Sequence, residues 1–116
     1  MDINTAEQNL TDWAAERCGM TRDRQMRRGE LPAGTPGARV RFTSGHTGNA
    51  QLSEFVAEVR GVFPDPDAAR SFASAIWGSL PVYSVAGFAA LVGEGEIVFA
   101  EEKGHFTATG MIRALF

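Results

Sequence analysis

This 116-residue chain has one cysteine, one lysine and no long apolar run. The single cysteine, Cys18, excludes a disulfide within the chain and a zinc site built from cysteines alone. The longest apolar stretch, Val82 to Val92, contains Ser84 and Gly87 and falls far short of the roughly 20 residues that a membrane-spanning helix needs. The first residues carry acids and no apolar run, so they predict neither a secretory signal nor a membrane partner.

Basic residues are fewer than acidic ones, and the formal net charge is −3. This balance argues against a strongly basic nucleic-acid binder. All the basic residues except Lys103 are arginines, which suit desolvated contacts at interfaces, although a GC-rich genome gives the same composition. Apolar residues make up 44% and charged residues 22% of the chain, as in an ordinary globular protein. The length predicts one domain, residues 1–116, with a thin core.

Two helices are predicted from apolar residues at three- and four-residue spacing. The first has Asn4 as its expected N-cap and ends at Gly19. The second begins at Asp65-Pro66-Asp67, where an N-cap acid precedes a first-turn proline, and it ends before Pro81. The two apolar stripes consist of Ile3, Ala6, Leu10, Trp13, Ala14 and Cys18, and of Ala69, Phe72, Ala73, Ile76, Trp77 and Leu80.

Strands are predicted where polar and apolar residues alternate. They cover Ala38–Thr43, Glu54–Arg60, Ala86–Val92 with an extended continuation from Glu96 to Ala100, and His105–Leu115; the loop Ser44–Asn49 joins the first two. The expected fold is α+β, a mainly antiparallel four-stranded sheet with two helices on one face, in the order α-β-β-α-β-β. Its expected core contains Trp13, Val40, Phe42, Phe55, Val59, Phe72 and Ile76. The second helix predicts a crossover connection between the second and third strands.

Motifs for catalysis and metal binding are not found in the sequence. There is no P-loop, no GxGxxG opening a helix and no GxSxG elbow. His46, His105 and Cys18 have no metal-ligand spacing, and Cys18 is interpreted as a packed residue. The pairs Glu94/Glu96 and Glu101/Glu102 are interpreted as solvated carboxylates on turns and edges. We therefore expect no enzyme, with no catalytic, cofactor-binding or metal-binding residue.

The segment Thr21–Gly37, called the arginine segment below, is the least regular part of the chain. Glycines and prolines break any helix or central strand from Gly29 onward, so an exposed connection is expected. Four arginines lie here with only two acids in the segment; they are Arg22, Arg24, Arg27 and Arg28. These arginines are the candidate site residues, interpreted as a partner interface. The alternatives are a solvated loop and a phosphate-contacting patch.

Several short strings occur in a characteristic order along the chain. They are Cys18-Gly19-Met20, Gly29-Glu30-Leu31-Pro32, the strand Phe55–Gly61 ending in Val-Arg-Gly, the helix strings Asp67–Arg70 and Ala75–Leu80, and the acidic turn Glu101–Phe106. Together with the element order, these strings resemble the tail-terminator family of long-tailed bacteriophages, also described as phage minor capsid proteins. Two departures from the family pattern are Gly95, where the family often has proline, and His46 in the loop between the first two strands.

The resemblance implies a structural subunit of a homohexameric ring. Such a ring sits on the last ring of the tail tube, ends tube polymerisation and provides the docking surface for the head. The implied partners are other copies of the chain, the tail-tube protein and a head-completion or connector protein, while DNA passes through without sequence-specific binding. The implied location is the head-proximal end of the virion tail, after assembly in the host cytoplasm, and no cofactor is implied. The alternatives are a head–tail connector or head-completion subunit, and a small nucleic-acid-binding module that uses Arg22 to Arg28.

Overall fold

A computed structural model describes residues 1–31, 35–48 and 52–116. The described residues form two helices and six strands, namely α1 (Ile3–Cys18), β1 (Met26–Arg28), β2 (Gly37–His46), β3 (Glu54–Phe63), α2 (Pro66–Trp77), β4 (Val82–Val85), β5 (Phe88–Glu102) and β6 (His105–Leu115). Pro32 in the arginine segment, and Asn49 in the loop predicted after the first strand, lie outside the described residues.

The six strands form one curled sheet, a half-barrel, in the order β1-β2-β3-β6-β5-β4. β1 is parallel to β2, and the other neighbouring pairs are antiparallel. The expected fold class, a four-stranded antiparallel sheet in the order α-β-β-α-β-β, is therefore wrong. The two strands that the sequence does not reveal, β1 and β4, have three and four residues, which is too short for a clear alternating pattern.

β4 and β5 both begin within the apolar run Val82–Val92, where the sequence predicts one strand, Ala86–Val92; the structure instead places Ala86 and Gly87 in a turn. A two-residue turn separates them, and its residues Ala86 and Gly87 have φ values of 53° and 85°. Positive φ at both central positions is typical of a type I′ hairpin turn. Because the side chains around this turn are apolar at both odd and even positions, the sequence pattern does not show where one strand ends and the next begins.

Both helices begin at an aspartate N-cap. The Asp2 carboxylate accepts the Thr5 N–H at 2.7 Å, and the Asp65 carboxylate accepts the Ala68 N–H at 2.8 Å. These bonds satisfy first-turn amides that have no partner inside the helix. The bond from Thr5 stabilises the charged carboxylate and so lowers the pKa of Asp2. The expected N-cap Asn4 is wrong, since this residue lies inside α1.

Both helices pack on one face of the sheet and bury the core there. α1 lies over β1 and β2, whereas α2 lies over β3, β6 and β5 and connects β3 with β4 by the predicted crossover. The expected core residues that are buried are Trp13, Val40, Phe55, Val59, Phe72 and Ile76; Phe42 is half-buried. The opposite face, called the outer face below, has no helix packed on it in the described part of the chain.

Trp77, at the end of α2, packs directly against the backbone of β6. A Cβ atom on Gly110 would lie 2.5 Å from Cζ2 of the indole ring. The indole N–H donates to the Met111 carbonyl oxygen at 3.1 Å. A glycine at position 110 is therefore what allows this close approach of the helix to the sheet.

We expect Gly110→Ala to destabilise the protein by about 1–3 kcal/mol, because the added methyl group displaces the Trp77 ring. Equilibrium urea unfolding followed by tryptophan fluorescence measures this difference. Gly93→Ala is the control, since a Cβ atom there would lie 3.8 Å from Trp77, an ordinary contact distance. Equal stability of the two variants would contradict the close-packing interpretation.

Candidate functional site

Two arginines of the arginine segment are held by carboxylates of α1. The Nε atom of Arg22 lies 2.5 Å from the Asp12 carboxylate, and the Nε atom of Arg28 lies 2.5 Å from the Glu7 carboxylate. Arg28 also donates to the side-chain oxygen of Asn4 at 2.8 Å. No sequence signal indicates these pairs, because the partners are ten and 21 positions apart. The beginning of the segment is therefore attached to α1 and is not an open connection.

The other two arginines, Arg24 and Arg27, form no ion pair with any described residue. Arg24 is exposed. Arg27 lies half-buried in β1, and its Nε atom is buried without a hydrogen-bond partner among the described residues. Of the four candidate residues, these two carry positive charge that the described part of the fold does not compensate.

The outer face carries a network of arginine–glutamate pairs. Glu58, whose side chain is 17% exposed, lies 2.6 Å from Arg39 and 3.4 Å from Arg41. The other pairs join Arg39 and Arg41 to Glu30, Arg60 to Glu102, and Arg113 to Glu54 and Glu94. Because every arginine of this network has a carboxylate partner, the outer face offers little excess positive charge to a nucleic-acid phosphate.

The distal part of the β5–β6 hairpin, residues 95–109, is called the hairpin arm below. Its side chains Val98 and Phe99 are 57% and 51% exposed. β4 pairs with β5 only as far as Leu91, so the arm strand of β5 has β6 on one side and no strand on the other in the described residues. Glu96 and Glu101 flank the apolar residues and form no ion pair with a described residue. The arm therefore presents an apolar edge strand bordered by negative charge.

A shallow groove separates α2 from the hairpin arm, and Arg70 and Phe99 line it from the two sides. Among the described residues that line the groove, only Arg70 and Glu101 are ionisable, and these two do not form a pair suited to acid–base catalysis. No cluster of three or more histidine, cysteine or acidic residues that could hold a metal ion occurs among residues 1–31, 35–48 and 52–116. Neither described helix is long and apolar enough to cross a membrane.

No protein-family model matches the chain, and no curated protein matches it. Function is therefore inferred from the exposed edge of the hairpin arm and from the sequence pattern.

We expect Arg28→Ala to lower the free energy of unfolding by about 1–2 kcal/mol, because it leaves the Glu7 carboxylate without a charged partner. Arg24→Ala is the matched control, since Arg24 is exposed and the change there is expected to stay within about 0.5 kcal/mol. Urea unfolding of both variants measures the difference. Two equally stable variants would show that the Arg28–Glu7 pair does not hold the segment.

Cys18 is half-buried at the end of α1, and burial raises the pKa of its thiol. Because the thiolate is the reactive form, we expect iodoacetamide at about pH 8 to alkylate folded Cys18 more slowly than the same residue in the urea-denatured chain. Mass spectrometry of timed samples gives both rates. Equal rates would contradict a packed Cys18.

Proposed function

We propose that the protein is a tail terminator, a structural ring subunit that caps the tail tube of a long-tailed bacteriophage, ends tube polymerisation and provides the docking surface for the head. The observation that carries the proposal is the exposed edge of the hairpin arm. Proteins usually protect an edge strand with lysine, proline or a covering segment. The arm residues Ile97–Ala100 contain no charge and no proline. Such an edge suits a chain that is completed by neighbouring subunits.

The size of the chain supports an assembly role. A domain of 116 residues buries only about two-thirds of the surface of its unfolded chain, so its core is thin. Here both helices lie on one face, and Val98 and Phe99 remain exposed at the edge. In a closed ring, the next copy covers such an exposed surface of each subunit. The resemblance to tail terminators gives this assembly its role and six copies as the expected number.

The nucleic-acid alternative is less well supported. It depends on Arg22 to Arg28 acting together on phosphates, but Arg22 and Arg28 are engaged by Asp12 and Glu7. The net charge of −3 also opposes tight binding to a polyanion. In the proposed role, DNA passes through the ring and is not read.

A head–tail connector or head-completion subunit is the second candidate, because it would use the same kind of exposed edge in a ring. The two roles differ in the partner: a tail terminator binds the tail-tube protein, whereas a head-completion subunit binds the portal side of the head. In both cases the protein belongs to the virion, at the junction of head and tail.

The test mixes this protein with purified tail-tube protein encoded in the same genome and measures tube lengths by negative-stain electron microscopy. We expect excess protein to shorten the tubes and to add a ring at one end only, because a capped end accepts no further tube subunits. Bovine serum albumin at equal concentration is the control. Tubes of unchanged length without end density would contradict the proposal, as would a genome that encodes no tail-tube protein.

A further inference from the structure

Part of the backbone of the arm strand has no hydrogen-bonding partner among the described residues. The two-residue turn Lys103-Gly104, with positive φ at both positions, joins β5 to β6, and Glu102 lies opposite His105 directly beside it. Residues that flank such a turn exchange both of their backbone hydrogen bonds, and the pairs of the antiparallel ladder then alternate between bonded and non-bonded. Counted back from the turn, the even-numbered residues of the arm strand bond to β6.

The odd-numbered residues Phe99 and Glu101 consequently direct their N–H and C=O groups away from β6. The hydroxyl group of Thr107 in β6 agrees with this assignment, because it donates to the Ala100 carbonyl oxygen at 3.4 Å. No described strand lies on the other side of the arm, since β4 pairs with β5 only as far as Leu91. The edge therefore has two donors and two acceptors at the spacing that an added strand requires.

The groove between α2 and the hairpin arm lies beside this edge, on the face of the sheet that carries the helices. Phe99 lines both parts of the groove, and Ile97 and Trp77 lie in the part beside the end of α2. Side chains of an added strand alternate between the two faces of the sheet, so every second one enters the groove. The edge and the groove together match an extended segment whose alternate residues are apolar.

The unpaired charges at this edge favour a basic partner. Glu101 lines the groove and Glu96 lies at the base of the arm, and neither forms an ion pair with a described residue. Lys103 at the turn also lacks an ion pair in the described part of the chain, so two carboxylates stand against one ammonium group. On the opposite wall, Arg70 is already paired with Asp67 at 3.5 Å. Because Lys103 lies at the tip, a basic side chain beside the strand itself meets net negative charge.

A second copy of the chain does not supply such a segment from its described residues. Its arginines without an ion pair, Arg24 and Arg27, lie at β1, where the Met26 N–H donates to the Thr21 carbonyl oxygen and the Met26 carbonyl oxygen accepts from the Asp23 N–H. That side of β1 is therefore occupied. The free edge at β4 has only four residues and no basic one. The segment that fits the arm consequently belongs to a different protein.

We propose that an extended segment of the tail-tube protein adds to the arm strand, with apolar side chains in the groove and an arginine or lysine beside Glu101. The inference rests on the proposed function, since it specifies how the cap holds the tube. Backbone hydrogen bonds at Phe99 and Glu101 provide affinity, while the groove and the carboxylate provide selectivity. Val98 points to the opposite face from Phe99, so it remains exposed for contact with the next copy of the ring.

Hydrogen exchange tests the strand addition directly. The protein is exchanged in D2O with and without assembled tail tubes, and single amides are resolved by fragmentation mass spectrometry. We expect the amides of Phe99 and Glu101 to exchange at least about tenfold more slowly with tubes, because each then bonds to the added strand or is shielded by it. The Ala100 amide is the internal control, since its bond to β6 exists in both states.

The variants Phe99→Lys and Glu101→Lys test the groove and the charge. Lysine on an edge strand opposes the addition of another strand, and at position 101 it repels the basic side chain of the partner. We expect each variant to bind immobilised tubes at least about tenfold more weakly in biolayer interferometry. The matched controls are Tyr83→Lys, at an aromatic residue of β4 that is 68% exposed, and Glu16→Lys, at an exposed acid of α1. Both controls are expected to bind like wild type.

Three results would overturn the strand addition. The first is unchanged exchange of the Phe99 and Glu101 amides in tube-bound protein. The second is tube binding by both groove variants that equals that of wild type, or controls that bind as weakly as the groove variants. The third is protection of the same amides that rises with protein concentration in the absence of tubes, because it would assign the edge to a second copy.

The two proposals fail in different ways. Capped tubes with unprotected Phe99 and Glu101 amides would contradict the strand addition and retain the tail-terminator role. Protected amides and weak binding by the groove variants, without a change in tube length, would retain the strand addition and contradict the role. A wild-type protein that binds no tubes would contradict both.

Discussion

One carboxylate, that of Glu7 in α1, holds together the end of the sheet that carries the arginine segment. One of its oxygens accepts from Arg28 Nε in β1 at 2.5 Å, and the other accepts the Phe42 N–H of β2 at 2.7 Å. The side chain is only 18% exposed, so these bonds are shielded from water and their loss is correspondingly costly. β1 has three residues and little apolar surface of its own. Its place at the sheet edge depends on this carboxylate and on Met26, which is completely buried.

The other end of the sheet is held by packing. Trp77 lies on Gly110, and a Cβ atom on Gly61 would lie 2.9 Å from the ring of Phe72, so α2 approaches β3 and β6 closely at two glycines. On the outer face, ion pairs also link neighbouring strands, because arginines of one strand lie beside glutamates of the next. The fold thus combines apolar packing under both helices with a polar anchor between α1 and the β1–β2 end of the sheet. In the hairpin arm, Ala108 is buried in the core and Ile97 and Phe106 pack against it, whereas Val98 and Phe99 remain exposed.

The sequence predicts the helices and the long strands well, for reasons that are local. α2 has its N-cap, first-turn proline and apolar stripe in consecutive residues, and the alternation of β3 follows directly from burial of one face. β1 could not be predicted, because a three-residue strand exists only through its pairing with Ala38–Val40. The same limit applies to the candidate site. The four arginines are visible in the sequence, but which of them form ion pairs depends on the position of α1, whose Asp12 and Glu7 pair with Arg22 and Arg28.

The hairpin arm is separated from the rest of β5 by a bulge. Between Glu94 and Val98, three residues of β5 lie opposite one residue of β6, and Gly95 in this bulge has a φ of 68°. A bulge bends its strand and increases the local twist. The groove beside Phe99 lies between α2 and the arm beyond this bulge. The bulge also places Glu96 at the base of the arm and leaves a regular strand from Val98 to Glu102.

An exposed apolar edge is a risk of uncontrolled aggregation for a monomer. The carboxylates of Glu96 and Glu101, on either side of the apolar residues, repel a second acidic edge and so disfavour the pairing of two arms with one another.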